Sequence, residues 1–261
     1  MENNNFETLL NVALENNSYI KKLENENSKL NEKINILNNK LELLYFSNQI
    51  SDDERKKRFT EIYVKKMWGR TKEIKEETAS GSGSTLEATE ILRNNLIILL
   101  KKYNIKTFLD APCGDMNWMK LLLNNFEKYI GVDIVPNIIE DNKNKIKHDN
   151  VSFFCVDLLK GDLYDVDMIF NRACTRHLSN IEVQMIINNI KRTNSKFLLT
   201  DTSISVKYND RTKSKYSEAK FINLELPPFN FPKPIEYINT DKSGVDMMGL
   251  WKISDIPNQT F

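Results

Sequence analysis

Asp110-Ala111-Pro112-Cys113-Gly114-Asp115-Met116-Asn117-Trp118-Met119 reads as the end of a strand, a tight turn and the start of a helix. The apolar run 106–110 ends in an acid, and helical spacing follows over 118–125. Gly114 lacks the Cβ that would hold the turn's backbone away from a ligand. A dinucleotide site would carry three glycines here, so that a pyrophosphate can rest on the helix N-terminus. This turn has one glycine, which argues against a nicotinamide-dependent enzyme.

The pattern of this stretch repeats outward. Strands are expected at 106–110, 129–134, 151–157, 167–171 and 196–202, and helices at 118–125, 137–145 and 180–192. Residues 158–166 form a short connection. Segments 234–239 and 249–254 suit a C-terminal antiparallel pair. The order predicts an α/β fold: a Rossmann-like, doubly wound, mostly parallel sheet with a C-terminal antiparallel hairpin. Ligands of such sheets sit at the carboxyl ends of the strands.

Those ends are polar in succession. Asp110 can hold an ammonium or position the turn. Asp133 lies 19 residues beyond Gly114, where an acid can accept from both ribose hydroxyls. Asp157 can accept from an adenine amino group while Leu158 packs on the ring. Asn171 and Arg172 end the fourth strand. One such residue is commonly a cap or a solvated strand end. Four at consecutive strands, three of them acids, are more specific.

These residues resemble class I methyltransferases dependent on S-adenosylmethionine (SAM). The closer likeness is to a bacterial subgroup reading Trp-Gly, Ser-Gly-x-Gly-Ser-Thr-Leu and Asp-Ala-Pro-Cys-Gly-Asp-x-Asn-Trp-Met. Here those motifs are Trp68-Gly69, Ser80 to Leu86, and Asp110 to Met119. Arg172-Ala-Cys-Thr-Arg-His177-Leu178, Asn223-Leu, Pro227-Pro228-Phe229 and Leu250-Trp251 extend the likeness over about 60–255. The resemblance implies SAM as cofactor. It implies binding by Trp68, Gly83, Ser84, Asp110, Ala111, Pro112, Cys113, Gly114, Trp118, Asp133, Ile134, Asp157, Leu158 and Asn171. It further implies O-methylation in capsule (surface-polysaccharide) biosynthesis, with a nucleotide-linked phosphoramidate as acceptor. Pro112 and Met116 replace the first and third glycines of the general motif, and Ala173 stands where the subgroup is expected to carry Asp.

On the acceptor side the candidates are His177, Arg172 and Arg176. His177 follows the fourth strand, near the expected methyl group. It can act as a general base toward a hydroxyl, or merely cap the next helix. Arg172 and Arg176 are four apart and would share a helical face. Lys207, Arg211, Lys213 and Lys215, with Tyr208 and Tyr216, add a second basic group after the fifth strand. Both groups suit an anionic acceptor. An anionic oxygen needs no base, and His177 would then donate or orient. A sugar hydroxyl on a nucleotide-sugar or glycan is the alternative acceptor. Leu226-Pro-Pro-Phe229 is not the Asn/Asp-Pro-Pro-Tyr motif of amino-methylating enzymes, which belongs after the fourth strand.

The N-terminal part differs. Thirteen of the first fifty residues are Asn, with no Gly or Pro. Leu9, Ala13, Asn16, Ile20, Leu23, Asn27, Leu30, Ile34, Leu37, Leu41 and Leu44 follow a heptad seam. β-Branched residues and Asn27 at a positions, with Leu at d, favour a parallel two-stranded coil. Residues 1–50 are therefore expected to be a dimerising helix, giving a homodimer through 9–44. A single amphipathic helix packed on its own domain is the alternative. Residues 51–261 are expected to form the methyltransferase domain, with helices and a cofactor-covering loop in 51–104. Ser51 with Glu54, and Ser84 with Glu87, have capping-box spacing. The Gly/Ser-rich stretch 77–85 suits either that loop or a linker.

Composition narrows the class. The chain has 261 residues with 37 Lys+Arg against 36 Asp+Glu, so a general nucleic-acid binder is not expected. Cys113, Cys155 and Cys174 form no zinc motif or disulfide framework, which suits a reducing cytoplasm and no metal. No apolar run approaches the ~20 residues of a membrane span. A non-catalytic coiled-coil adaptor with a degenerate methyltransferase fold is the alternative from another class.

Overall fold

The computed structural model describes residues 17–31, 33–34, 37, 52–69, 71–210, 216–241 and 247–260. The chain divides into two units, Met1–Asn48 with the final residue, and Gln49–Thr260. In the first unit residues 17–31 are helical and exposed. The seam residues Ile20, Leu23, Leu30, Ile34 and Leu37 all expose their side chains. Leu9, Ala13, Asn16, Leu41 and Leu44 lie outside the described residues.

The second unit contains α1 (Asp52–Val64), α2 (Lys72–Glu77), α3 (Glu90–Lys102), β1 (Thr107–Asp110), β2 (Lys128–Asp133) and α4 (Pro136–Lys145). It continues with β3 (Val151–Cys155), β4 (Met168–Asn171), α5 (Asn180–Lys191), β5 (Phe197–Thr202), β6 (Glu236–Asn239) and β7 (Met247–Lys252). The strands form one seven-stranded sheet in the order β3-β2-β1-β4-β5-β7-β6. The first five are parallel, and β7 runs antiparallel to both neighbours. The expected α/β architecture is present, with the last strand inserted between β5 and β6.

Successive strand residues face opposite sides, which builds two apolar layers. Leu109, Ile130, Ile169 and Leu198 pack with Val183, Ile186 and Ile190 of α5. Phe108, Tyr129, Met168 and Leu199 pack with Leu92, Leu96 and Leu99 of α3. The acids at the strand ends lie beyond these layers, where the sheet opens.

Several elements differ from expectation. Residues 118–125 form a 3₁₀ segment, Met119–Asn125, rather than an α-helix. Its buried Met119 and Leu122 are three apart, which suits three residues per turn. β3 stops at Cys155, because the Asp157 carboxylate accepts from the Leu159 N–H and starts a turn. Ser84 and Glu87 form no capping box: Ser84 lies in a 3₁₀ turn, and α3 begins after Thr89 without a side-chain cap. A complete capping box occurs instead at Ser179 and Glu182, opening α5. Ser51 lies outside the described residues.

Candidate active site

The sheet opens into a cleft at the carboxyl ends of β1, β2 and β4. Thirteen of the seventeen residues expected at the site line it: Trp68, Ser84, Asp110, Pro112, Cys113, Gly114, Trp118, Asp133, Ile134, Asp157, Leu158, Arg172 and His177. Gly83, Ala111, Asn171 and Arg176 do not line it. Asn171 donates from Nδ2 to the Ala111 carbonyl at 2.6 Å and accepts from the Thr200 hydroxyl, fastening the ends of β1, β4 and β5. The Gly83 carbonyl accepts from Arg172 Nη2 at 2.9 Å.

The strand-end acids are deeply set. Asp133 accepts from the Gly114 N–H at 3.2 Å and the Val135 N–H at 3.0 Å, so it first holds the glycine turn in place. Each carboxylate oxygen has a second lone pair and can accept again. Burial pushes Asp133 up to about 6, against the opposing pull of its backbone donors. Asp110 accepts from the Tyr129 hydroxyl at 2.6 Å, and burial pushes its carboxyl up to about 7. Asp157 lines the cleft and is also held from within the chain. One of its oxygens is held by both Nε and Nη2 of Arg55, and the other by the Leu159 N–H.

The wall opposite the sheet comes from α1 and the residues after it. Arg55, Phe59, Tyr63 and Trp68 all face the cleft. Tyr63 meets Trp68 edge to face at 5.2 Å, and Trp68 lies 4.9 Å from the His177 ring. The Gly/Ser stretch is no linker. Thr78 Oγ1, the Ala79 N–H and Ser80 Oγ all donate to the Asp115 carboxylate. Asn117 Nδ2 donates to Glu77 and to the Ser84 carbonyl. The two polar residues after Gly114 thus fasten this loop beside the cleft.

The acceptor-side arginines part company. Arg172 stays in the cleft, its guanidinium 5.5 Å from the Trp118 ring centroid. Arg176 pairs with Asp201 at 3.7 Å and lies over Phe221. They share no helical face, because Ala173 has φ 55 and the following turn, Thr175–His177, is 3₁₀. His177 Nδ1 is 3.0 Å from the Glu218 carbonyl. A carbonyl only accepts, so Nδ1 carries the proton and the second ring nitrogen is Nε2. Tyr216 is buried and donates to Glu182, so it adds nothing to a basic rim. Lys207 and Tyr208 are exposed, while Arg211, Lys213 and Lys215 lie outside the described residues.

Sequence reasoning missed Arg55 and Tyr63, which line the cleft, and Asp115, which anchors the loop beside it. Arg55 sits in Asp52-Asp-Glu-Arg-Lys-Lys-Arg58, which reads as a solvated face. Asp115 carried a signal, its place directly after the only glycine of the motif.

Residues 108–195 match a family model described as a methyltransferase domain. Magnesium protoporphyrin IX methyltransferase from Synechocystis PCC 6803 with bound SAM is similar over 78% of this chain and 98% of its own, with 11% identity and a TM-score of 0.52. The PH0226 protein from Pyrococcus horikoshii OT3 is similar over 67% of this chain and 94% of its own, with 19% identity and a TM-score of 0.50. No curated protein matches the chain. The matched residues form a methyltransferase domain, which makes the chain an enzyme, and the sheet that carries them is Rossmann-like. The methyl donor of that class is SAM, and the donor set fits it. Carboxylates at Asp110 and Asp133 suit an ammonium and a ribose diol, and Ile134 and Leu158 give the cleft an apolar side for a purine. Among the described residues, no helix is long and apolar enough to cross a membrane.

Proposed function

We propose that the protein O-methylates an anionic, nucleotide-linked precursor of bacterial surface polysaccharide. The acceptor group that the resemblance suggests is a phosphoramidate. One observation carries the preference for an anion: His177 stands in the cleft with Nδ1 on the Glu218 carbonyl and its ring against Trp68. The indole π face is complementary to a positively charged imidazole. Such a ring presents Nε2–H as a donor to an anionic oxygen, and Arg172 adds a permanent charge to the same cleft. Bound SAM supplies a methyl group on a cationic sulfur for in-line transfer. The chain's part is orientation: Asp110 and Asp133 hold the donor, the loop fastened by Asp115 stands beside it, and His177 and Arg172 aim the acceptor oxygen.

Methylation of a sugar hydroxyl on a nucleotide-sugar or glycan is the second reading. In the neutral ring the same Glu218 contact puts the lone pair on Nε2, where it can take a hydroxyl proton. The two readings separate in a transfer assay with isotopically labelled SAM over nucleotide-linked phosphoramidates, phosphate esters and nucleotide-sugars. Product mass after phosphoester cleavage locates the methyl group. Labelling on the phosphorus-bound oxygen is expected. Labelling confined to sugar carbons would overturn the anionic reading.

The proposal puts the enzyme in the cytoplasm, where its three free thiols stay reduced. It also makes the protein a homodimer through 9–44, because the exposed Ile and Leu positions of the helix continue one heptad seam. Removing residues 1–45 should bring the mass measured by light scattering down to that of a single shortened chain and leave S-adenosylhomocysteine affinity unchanged. A truncated protein that remains dimeric would sink the coil assignment.

A further inference from the structure

The fully buried hydroxyl of Tyr129 has no role in the chemistry so far described, yet it touches the cleft's first acid. Tyr129 lies on β2 beside Phe108 of β1 in the parallel register. Its ring is enclosed by Phe108, Phe126 and Phe153, with centroids 6.1, 5.6 and 6.2 Å away. That aromatic box leaves the hydroxyl little freedom. It reaches Asp110 Oδ2 at 2.6 Å and the Met116 sulfur at 3.0 Å. A phenol has one proton, and a carboxylate is a far better acceptor than a thioether. The proton therefore goes to Asp110.

We propose that Tyr129 is a positioning residue for the methyl donor: it holds one oxygen of Asp110 and keeps that carboxylate ionised and turned toward the donor's ammonium group. The role rests on the donor reading above.

The charged and titratable groups facing Asp110 are few. Tyr129 comes from β2, Asp133 from the end of β2, Cys113 from the turn after β1 and Arg172 from the loop after β4. Burial and Asp133 oppose ionisation, while Tyr129 and Arg172 favour it. With Asp110 near 7, the sign follows. Below that pH the carboxyl is protonated and the ammonium lacks its partner, so donor affinity is low. It rises as pH increases through about 7 and levels off above.

Tyr129→Phe removes the hydroxyl and keeps the ring. Losing one hydrogen bond to a charged group moves the ionisation upward by about one pH unit. S-adenosylhomocysteine has the same ammonium group and serves as the probe. In calorimetric titrations across pH 5.5–9.5, the variant should bind about fivefold more weakly near pH 7 and match wild type near pH 9. A merely structural role would weaken binding equally at every pH, and that result would overturn the proposal. An unchanged profile would do the same. Asp110→Asn gives an independent arm that does not depend on Tyr129→Phe folding: it should lose the rise centred near 7 and keep only the lower one, near 6, that belongs to Asp133. A profile still rising through neutrality in that variant would show that another group titrates and overturn the assignment. Wild-type protein that binds no S-adenosylhomocysteine at any pH would overturn the donor reading and the Tyr129 role with it.

Discussion

Arg55→Met should destabilise the protein by about 3–5 kcal/mol, the cost of breaking a buried ion pair by removing one partner. Arg55 is 2% exposed and holds Asp157 through two of its nitrogens. Glu182, fully buried at the start of α5, also faces the Arg55 charge. Burial pushes the Glu182 carboxyl up, and Arg55 is among the groups pulling it back down. Without the guanidinium, the buried Glu182 carboxyl and the part-buried Asp157 carboxylate lose their cation. The pH dependence has a definite sign. A carboxyl that resists ionisation in the folded state, as Glu182 does, favours unfolding as pH rises from its unfolded value toward its folded one. The variant should therefore lie closest to wild type near pH 5 and fall further behind toward pH 8. Thermal unfolding at both pH values measures this, with a drop of roughly ten degrees or more expected at the higher pH. A change under about two degrees at both would show that the pair contributes nothing to stability. Arg55→Lys keeps the charge but not the two-point grip, and it should fall between the two.

The same contact shows where sequence reasoning loses reach. Asp110 and Asp133 are legible because each ends an apolar strand and begins a turn, a local pattern within about five residues. Arg55 and Asp157 are 102 residues apart, and nothing in a run of like-looking charged residues marks one of them as buried. Spacing also failed for Arg172 and Arg176. A separation of four implies a shared face only on a continuous helix, and Ala173 in the left-handed region breaks the chain direction between them. The position is notable because Ala173 donates its N–H to the Asp201 carboxylate, the group that also pairs with Arg176. That carboxylate draws Arg176 away from the cleft, and only Arg172 keeps its place on the wall.

The loop over 77–85 was half legible. Its glycines and serines are equally compatible with a linker, and composition cannot separate the two. Asp115 decides it, by gathering three donors from residues 78–80 onto one carboxylate. The loop and the glycine turn thus share one anchor, so displacing Asp115 would disturb both sides of the donor site together. Fold class needed only the succession of strands and helices. The site needed contacts between elements that lie far apart in sequence.

His177→Ala should lower kcat by about 10- to 100-fold, the range for losing one hydrogen bond to a charged group. S-adenosylhomocysteine affinity should stay within about twofold, because His177 is assigned to the acceptor side. The pH profile then tells which chemistry is lost. With an anionic acceptor the productive ring is the imidazolium, donating Nδ1–H to the Glu218 carbonyl and Nε2–H to the acceptor oxygen. At saturating donor, kcat should then fall with rising pH, and the variant should lose that fall. A hydroxyl acceptor reverses the sign, since the neutral ring must take the proton, and the loss on mutation would reach about 10²- to 10⁴-fold. Measuring kcat at saturating donor matters, because ionisation of Asp110 raises donor affinity over a neighbouring pH range and would mask a falling limb in kcat/KM. Arg172→Ala serves as the control within the same cleft: its guanidinium does not titrate, so it should lower turnover on anionic acceptors while leaving the shape of the profile intact. Equal losses of turnover and donor affinity in His177→Ala would remove this residue from the acceptor side altogether. They would leave Trp68, whose indole lies 4.9 Å from the His177 ring, as the wall of the donor site.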